Sequence, residues 1–388
     1  MSRSGQILAI ALLAVLLVGC QTVGGWFNRD KGEDGPAELV SFESTLNVQR
    51  LWSTGVGAGT SRSQPNFRPF MHDGLLWVGD HRGRISAVNA ESGRVERRFD
   101  TDLALSSGPT VSDDLIIVGT FDGELVAMDP VSGNRRWRAR LSSEVLAYPV
   151  IHDGVVVARC IDGRVFGIDQ ADGSRLWIHD RSVPLLTLRG NSDPLARGGQ
   201  VFIGYDDGMV AGLQVSDGSL LWEQRVSMPE GRTELERLAD IDGPMAIVGT
   251  DLYVVTRKGR MASLALESGR ILWVRELASH LGLALQRTQI AVTDSDDTVW
   301  LLDRRNGSTL WQDDRLARRG VTRPVFVGDH LVVADSEGYL HWYDLDDGRF
   351  AARVRATRDV PTDAPLVIGN TLYLLDDDGT LSAWRVRS

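Results

Sequence analysis

The chain has 388 residues, 41 glycines and a formal net charge of −10. The acidic balance argues against a nucleic-acid partner, because affinity for nucleic acids depends on a basic surface. Its two cysteines, Cys20 near the N-terminus and Cys160, do not make a disulfide framework for the folded part of the chain. Cys160 ends the apolar run VVVARC, and we expect it to be a small buried side chain.

The N-terminus has the organisation of a signal peptide. Arg3 precedes an apolar stretch over residues 7–18 that is too short to span a bilayer comfortably. The stretch ends in LVGC, which resembles the lipobox of bacterial lipoproteins. That resemblance implies cleavage before Cys20 and lipidation of Cys20. Because Gln21 rather than aspartate follows, it also implies an anchor in the outer membrane, facing the periplasm. An ordinary secretory signal that ends in cysteine is the alternative.

A short tether follows the cysteine. Residues 22–37 are rich in glycine and charge and show no hydrophobic periodicity, which is typical of a flexible linker. We therefore divide the chain into a signal peptide (residues 1–19), the lipidated cysteine with its tether (20–41) and one folded domain (42–388).

The folded domain consists of eight repeats of about 40 residues. An opening proline recurs at positions 69, 109, 149, 194, 244, 324 and 365, with Ala284 in the remaining repeat. A hairpin glycine follows in seven repeats and Asp297 replaces it in the other; a second glycine then precedes a tryptophan by four residues in five repeats. Turn residues at fixed offsets between short apolar runs predict four strands in each repeat.

The two ends of the domain are incomplete repeats that complement each other. Residues 46–52 resemble a fourth strand, since RLW at 50–52 parallels RLW at 175–177, but three earlier strands are missing. The last repeat stops after its third strand. We therefore predict an all-β, eight-bladed β-propeller of four-stranded blades, closed by an N-terminal strand that completes the last blade. Closure removes two open sheet edges.

No catalytic or metal-binding pattern is present in the sequence. The motifs HExxH, GxSxG, GxxxxGK[ST] and GxGxxG are absent, and no Cys-His set has metal-ligand spacing. The aspartate-rich segment from Asp294 resembles a calcium loop, but Arg305 stands where an EF-hand needs its glutamate. We interpret such segments as solvated turns and expect no catalytic residue, cofactor or metal.

Two insertions interrupt the regular spacing. The opening positions are 45 residues apart between repeats three and four and 50 between repeats four and five, against 40 or 41 elsewhere. The first insertion contains PLLTLR at 184–189 and the second ELERLADID at 234–242. Apolar groups rimmed by charge suit a protein–protein contact, and insertions on one side of a repeat protein often mark its binding face. The alternative is that both segments cap the blades.

The repeat resembles that of quinoprotein-type propellers: a strand, Asp-Gly, a strand ending in aspartate, Thr/Ser-Gly and then tryptophan. One reading of this resemblance is a quinone-cofactor (PQQ)-dependent dehydrogenase. Such an enzyme needs a cofactor pocket across the axis, a calcium ion, a catalytic aspartate and usually a longer chain with vicinal cysteines. The sequence lacks the cysteines and the length, so we keep this reading only as the alternative.

The whole chain resembles more closely the BamB family, lipoproteins of the outer-membrane β-barrel assembly (BAM) complex. The specific segments are DSEGYLHW at 335–342, LTLRG at 186–190 and RLADID at 237–242. The resemblance implies a non-enzymatic scaffold that binds the periplasmic (POTRA) domains of BamA and assists folding and insertion of outer-membrane proteins. Unfolded precursors of those proteins are possible further partners. It also implies the residues that bind BamA: Leu186, Leu188, Arg189, Asp240 and Asp242. A glycan-binding propeller stays open as a third class.

Overall fold

The structure is a computed structural model that describes residues 35–60, 67–181, 192–228 and 240–387. In these ranges the chain forms eight antiparallel sheets of four strands each. Residues Leu39–Ser388 make one compact unit, and the residues before them form a second. The predicted domain boundaries at residues 19 and 41 stay predictions.

Four strands make each blade, and they are paired in chain order. Blade 1 contains β2 (Phe70–His72), β3 (Leu75–Gly79), β4 (Arg84–Asn89) and β5 (Val95–Asp100), and blade 2 contains β6 (Leu105–Val111), β7 (Ile116–Thr120), β8 (Glu124–Met128) and β9 (Arg135–Arg140). Blade 3 contains β10 (Val150–His152), β11 (Val155–Arg159), β12 (Val165–Asp169) and β13 (Arg175–His179), and blade 4 contains β14 (Leu195–Arg197), β15 (Gln200–Gly204), β16 (Met209–Gln214) and β17 (Leu220–Arg225).

The remaining blades follow the same plan, except that the last one uses both ends of the domain. Blade 5 contains β18 (Ala246–Val248), β19 (Asp251–Val255), β20 (Arg260–Ala265) and β21 (Ile271–Glu276), and blade 6 contains β22 (Leu283–Leu285), β23 (Gln289–Thr293), β24 (Val299–Asp303) and β25 (Thr309–Asp313). Blade 7 contains β26 (Val325–Val327), β27 (His330–Ala334), β28 (Tyr339–Asp344) and β29 (Phe350–Arg355), and blade 8 contains β30 (Leu366–Ile368), β31 (Thr371–Leu375), β32 (Thr380–Val386) and β1 (Val48–Gly55).

The first strands of neighbouring blades contact each other, so they surround the axis and the fourth strands form the outer edge. β1 pairs antiparallel with β32 from Val48–Val386 to Gly55–Thr380. The predicted eight-bladed propeller and its closure by the N-terminal strand are therefore confirmed. Cys160 is fully buried, as expected, and burial raises the pKa of its thiol.

The repeated tryptophan and the second glycine belong to one contact between neighbouring blades. We call the contact between two neighbouring blades a seam. In six seams the indole of one blade covers the second glycine of the next, where a Cβ would lie 2.3–2.9 Å from a ring atom. The pairs are Trp52–Gly93, Trp137–Gly173, Trp177–Gly218, Trp222–Gly269, Trp273–Gly307 and Trp311–Gly348. These glycines also have positive φ, so both the turn and the neighbouring blade require glycine.

The ring has two faces with different connections. Antiparallel pairing places the turn between the second and third strands of a blade beside the connection to the next blade. Hydrogen bonds join these segments, as from Val226 N to Gly208 O at 2.9 Å. Both insertions are blade-to-blade connections, so we call this side the insertion face. The turns between first and second strands lie on the opposite face.

Candidate partner-binding surface

One turn of blade 4, residues 205–208, contacts the chain next to both insertions. Arg181 is the last described residue before the first insertion, and its Nη2 lies 2.8 Å from Asp207 Oδ2. The Arg181 guanidinium also pairs with Glu223 and lies 4.7 Å from the ring centre of Tyr205. After the second insertion, Ile241 N donates to Tyr205 O at 3.2 Å. The two insertions therefore emerge from one place on the insertion face.

A buried ion pair lies beneath this turn. Arg159, the last residue of β11, places Nη2 2.6 Å from Asp206 Oδ1, and the side chains are 0 % and 1 % exposed. Burial raises the pKa of Asp206, and the adjacent Arg159 guanidinium opposes that rise. Because a buried charge without its partner is costly, the pair ties blade 3 to the turn of blade 4. The turn is therefore fixed by three contacts: Asp206 with Arg159, Asp207 with Arg181, and Tyr205 with Ile241.

The second insertion is fixed where it re-enters the ring. Ile241 is fully buried, and it packs so tightly against Gly204 that a Cβ there would lie 2.7 Å from the Ile241 side chain. Asp240 is fully buried too, and its carbonyl accepts a hydrogen bond from Arg257 N at 2.9 Å. Asp242 Oδ2 accepts one from Arg257 Nε at 2.7 Å, with the carboxylate side chain 4 % exposed. Asp240 and Asp242 therefore lie at the base of the insertion.

The structure brings together only part of the predicted site. Asp240 and Asp242 share the base just described. Leu186, Leu188 and Arg189, and the lipidation residue Cys20, lie outside the described residues, and their roles stay predictions.

Sequence reasoning missed the groups that anchor the insertions, namely Arg159, Arg181, Tyr205, Asp206 and Asp207. One signal for them was present: Arg159 follows four apolar residues in a strand, and a charge in that position predicts a buried partner. The identity of that partner was not readable from the repeat.

The centre of the ring does not fit a quinone–calcium site. In the described ranges no three His, Cys, Asp or Glu side chains are grouped closely enough to hold a metal ion. The carboxylate in the lining of the central cavity, Asp193, is paired with Arg68. A calcium ion requires several oxygen ligands, and an arginine engages the one carboxylate in this lining.

Among the residues that the structure describes, no helix is long and apolar enough to cross a membrane.

Comparison with known proteins agrees with the fold and the repeat pattern. A family model described as outer membrane protein assembly factor BamB matches residues 81–313 and 306–387. A protein of that name from Alkalilimnicola ehrlichii is 45% identical, over 100% of this chain and 98% of its own length. The crystal structure of BamB from Moraxella catarrhalis has a TM-score of 0.79 at 26% identity and covers 87% of this chain and 100% of that one.

A more distant structure shares only the architecture. Quinohemoprotein alcohol dehydrogenase from Comamonas testosteroni has a TM-score of 0.67 at 11% identity, over 87% of this chain and 76% of that one. A likeness at that identity shows the fold alone. By its family match and its full-length similarity, the chain belongs to the BamB family of outer membrane protein assembly factors.

Proposed function

We propose that this protein is a non-enzymatic scaffold lipoprotein of the BAM complex that binds the periplasmic POTRA domains of BamA. The observation that carries this proposal is the convergence of both insertions on residues 205–208. The described residues next to both insertions, Arg181 and Ile241, contact the same turn, and insertions on one side of a repeat protein often mark its binding face. Leu186, Leu188 and Arg189 supply the outer contacts, while Asp240 and Asp242 hold the second insertion in position.

The lipid on Cys20 holds the scaffold at the outer membrane, on the periplasmic side. The sequence pattern supports this location, because an apolar stretch of signal-peptide length ends directly at the cysteine. Several acyl chains make such an anchor stable, whereas a single chain binds only marginally. Replacement of Cys20 by Ser should release the protein from outer-membrane fractions.

Charge reversal in the first insertion tests whether it binds BamA, and a charge reversal in blade 4 is the control. Arg189→Glu should abolish co-purification with BamA. Arg197→Glu changes an equally charged, exposed residue at the end of β14, on the opposite face, and should leave co-purification intact. Both variants should show wild-type circular dichroism. Normal BamA binding by Arg189→Glu would falsify the assignment of this surface.

A second surface supports contact with unfolded precursors. On the outer strands of blades 3, 4 and 5, aliphatic side chains point to solvent in pairs, 39–50 % exposed: Leu176, Ile178, Leu220, Leu221, Leu272 and Val274. The outer strands of blades 6 and 8 each have one exposed leucine instead, Leu310 and Leu51. The register positions of Ile178 and Val274 hold Arg98 in blade 1 and Arg138 in blade 2. We call the six residues the aliphatic rim.

The aliphatic rim lies on strands with a free edge. Each outer strand pairs on one side only, so its other edge offers backbone groups to an added strand. A segment of a β-barrel precursor alternates apolar and polar residues, and its apolar side matches the rim. Strand addition at blades 3 to 5 is therefore the mode of precursor binding that we propose.

The non-enzymatic part of the proposal has its own test. Purified protein supplied with quinone cofactor, calcium and primary alcohols should reduce a dye no faster than the cofactor alone. Alcohol-dependent reduction that saturates with protein would instead support the dehydrogenase alternative.

A further inference from the structure

A cavity of about 500 Å³ lies on the axis of the ring. Its wall is mostly apolar and comes from the first strands of several blades, including Phe70, Val111, Val150 and Leu195. A concave, largely apolar space of this size with a few polar groups is typical of a small-molecule site. The proposed partner surface does not use it.

An ionic cluster lies at one end of this cavity. Arg68 pairs with Asp193, and its Nη1 lies 3.9 Å from Asp363 Oδ2. The Arg68 guanidinium also lies 4.0 Å from the ring centre of Tyr148, whose backbone N donates to Asp193 Oδ1 at 2.6 Å. The charge of Arg68 is therefore compensated by two carboxylates and an aromatic face.

Arg323 lines the same cavity but, unlike Arg68, has no carboxylate paired with it in the part of the chain that the structure describes. Within the described ranges its guanidinium makes no ion pair, and its buried Nε has no hydrogen-bond partner. Burial lowers the pKa of Arg323, with a smaller contribution of the same sign from Arg68, whereas Asp363 and Asp193 act in the opposite direction. Arg323 is partly buried, and a partly desolvated cation without a direct counter-ion is unfavourable, so a bound anion would be stabilised beside it.

We propose that the central cavity binds a small organic carboxylate, with Arg323 as the anion-binding group and the apolar inner strands around the hydrocarbon part. The planar guanidinium presents two parallel N–H donors that match a carboxylate. His72 and Ser112, at the far ends of β2 and β6, line the end of the cavity away from the ionic cluster.

The test uses 4-bromobenzoate as the probe. Crystals of the purified protein soaked in the probe should show one anomalous bromine peak in the cavity, with the carboxylate at Arg323. Titration in solution should show Arg323→Gln weakening binding about tenfold or more, the usual effect of losing a charge-assisted hydrogen bond. The control is Arg287→Gln, at an exposed arginine in the turn between β22 and β23, which should bind the probe as the wild type does.

Folding of Arg323→Gln is checked by its melting temperature, which should stay close to that of the wild type because the partly buried Arg323 guanidinium makes no ion pair within the described ranges. Arg323→Lys should keep part of the affinity. The proposal is overturned if Arg323→Gln binds the probe as tightly as the wild type, if no bromine peak lies in the cavity, or if neutral bromobenzene binds equally well. If inorganic phosphate binds as tightly as the probe in the same titration, the assignment of an organic ligand is overturned.

Discussion

The indole nitrogen of Trp52, in the N-terminal strand, donates a hydrogen bond of 3.0 Å to the carbonyl of Ala90 in blade 1. The same ring covers Gly93, where a Cβ would lie 2.5 Å from it. Five other blade contacts show this arrangement at similar sequence separations. The closing seam repeats it between segments of the first and last blades, so the ring closes with the contact that joins its interior blades.

Removal of the Trp52 ring should therefore weaken the closure. Trp52→Ala should lower the free energy of unfolding by about 3 kcal/mol, the lower end of the range for an aromatic residue replaced by alanine, since Trp52 is only partly buried. Urea unfolding followed by tryptophan fluorescence measures the change. Leu51→Ala, at an exposed neighbour in the same strand, should change stability by less than about 1 kcal/mol. Equal effects of the two substitutions would contradict the role of the seam.

The buried pair predicts a pH-dependent loss of stability. Arg159→Met should cost about 3–5 kcal/mol near neutral pH, because ionised Asp206 is left buried without its partner. Burial already raises the pKa of Asp206, and loss of the guanidinium raises it further. The folded state then binds a proton more tightly than the unfolded state. Stability of the variant therefore falls as pH rises above about 4, the pKa of an aspartate in the unfolded chain, and the deficit relative to the wild type shrinks toward acid.

Chemical unfolding of Arg159→Met across this pH range measures the trend. The double variant with Asp206→Asn has no carboxylate at that position, so its difference from the wild type should vary much less with pH. A deficit of Arg159→Met that stays constant with pH would show that the loss comes from packing alone.

The two aspartates of the second insertion should respond differently to charge reversal. Asp240→Lys places a cation at a fully buried position and should destabilise the fold by several kcal/mol, about 3–5, together with any loss of BamA binding. Asp242→Arg should be rescued in part by Arg257→Asp, because the pair is then restored in reverse. Melting temperature and BamA co-purification are measured for each variant. No recovery in the double variant would argue against the pair as an anchor.

The aliphatic rim predicts a reciprocal exchange. Ile178 and Arg138 occupy the same position after the tryptophan in neighbouring blades. Ile178→Arg should reduce photo-crosslinking of an amphipathic β-strand peptide to blade 3, and Arg138→Ile should increase it at blade 2. Ile178 points to solvent, so Ile178→Arg should alter stability by no more than about 0.5 kcal/mol. Arg138 pairs with the buried carboxylate of Glu124, so Arg138→Ile should cost about 1–3 kcal/mol, and its peptide capture is compared at a temperature where the variant is folded. Peptide capture that ignores both changes would rule out the rim as its site.

The architecture was predictable because each turn needs its own residues. Glycine marks the turns that need positive φ, and the Trp–Gly contact puts two markers into one register, so eight units could be counted. The closure was predictable because the N-terminal segment matched a fourth strand.

The ion pair beneath the turn at residues 205–208 and the ionic cluster of the cavity were not predictable, because they join residues that are far apart in the sequence. Arg159 and Asp206 are 47 residues apart, and Arg68 and Asp193 are 125 apart. Repeat spacing places such residues in blades but does not say which side chains meet. The sequence also could not distinguish an exposed aspartate in an insertion from a buried one such as Asp240.

The pairing of β1 with β32 has a mechanical consequence. A pull on the chain before Val40 is transmitted first to blade 7, where Arg353 donates to Val40 O and Ala351 O accepts from Thr45 N and Leu46 N. It then reaches the hydrogen bonds between β1 and β32, and through Trp52 blade 1. The load is then shared across seven register pairs and a neighbouring blade. A protein held to a membrane through this segment would therefore take up tension at its seam, and force applied there should open blade 8 before the other blades.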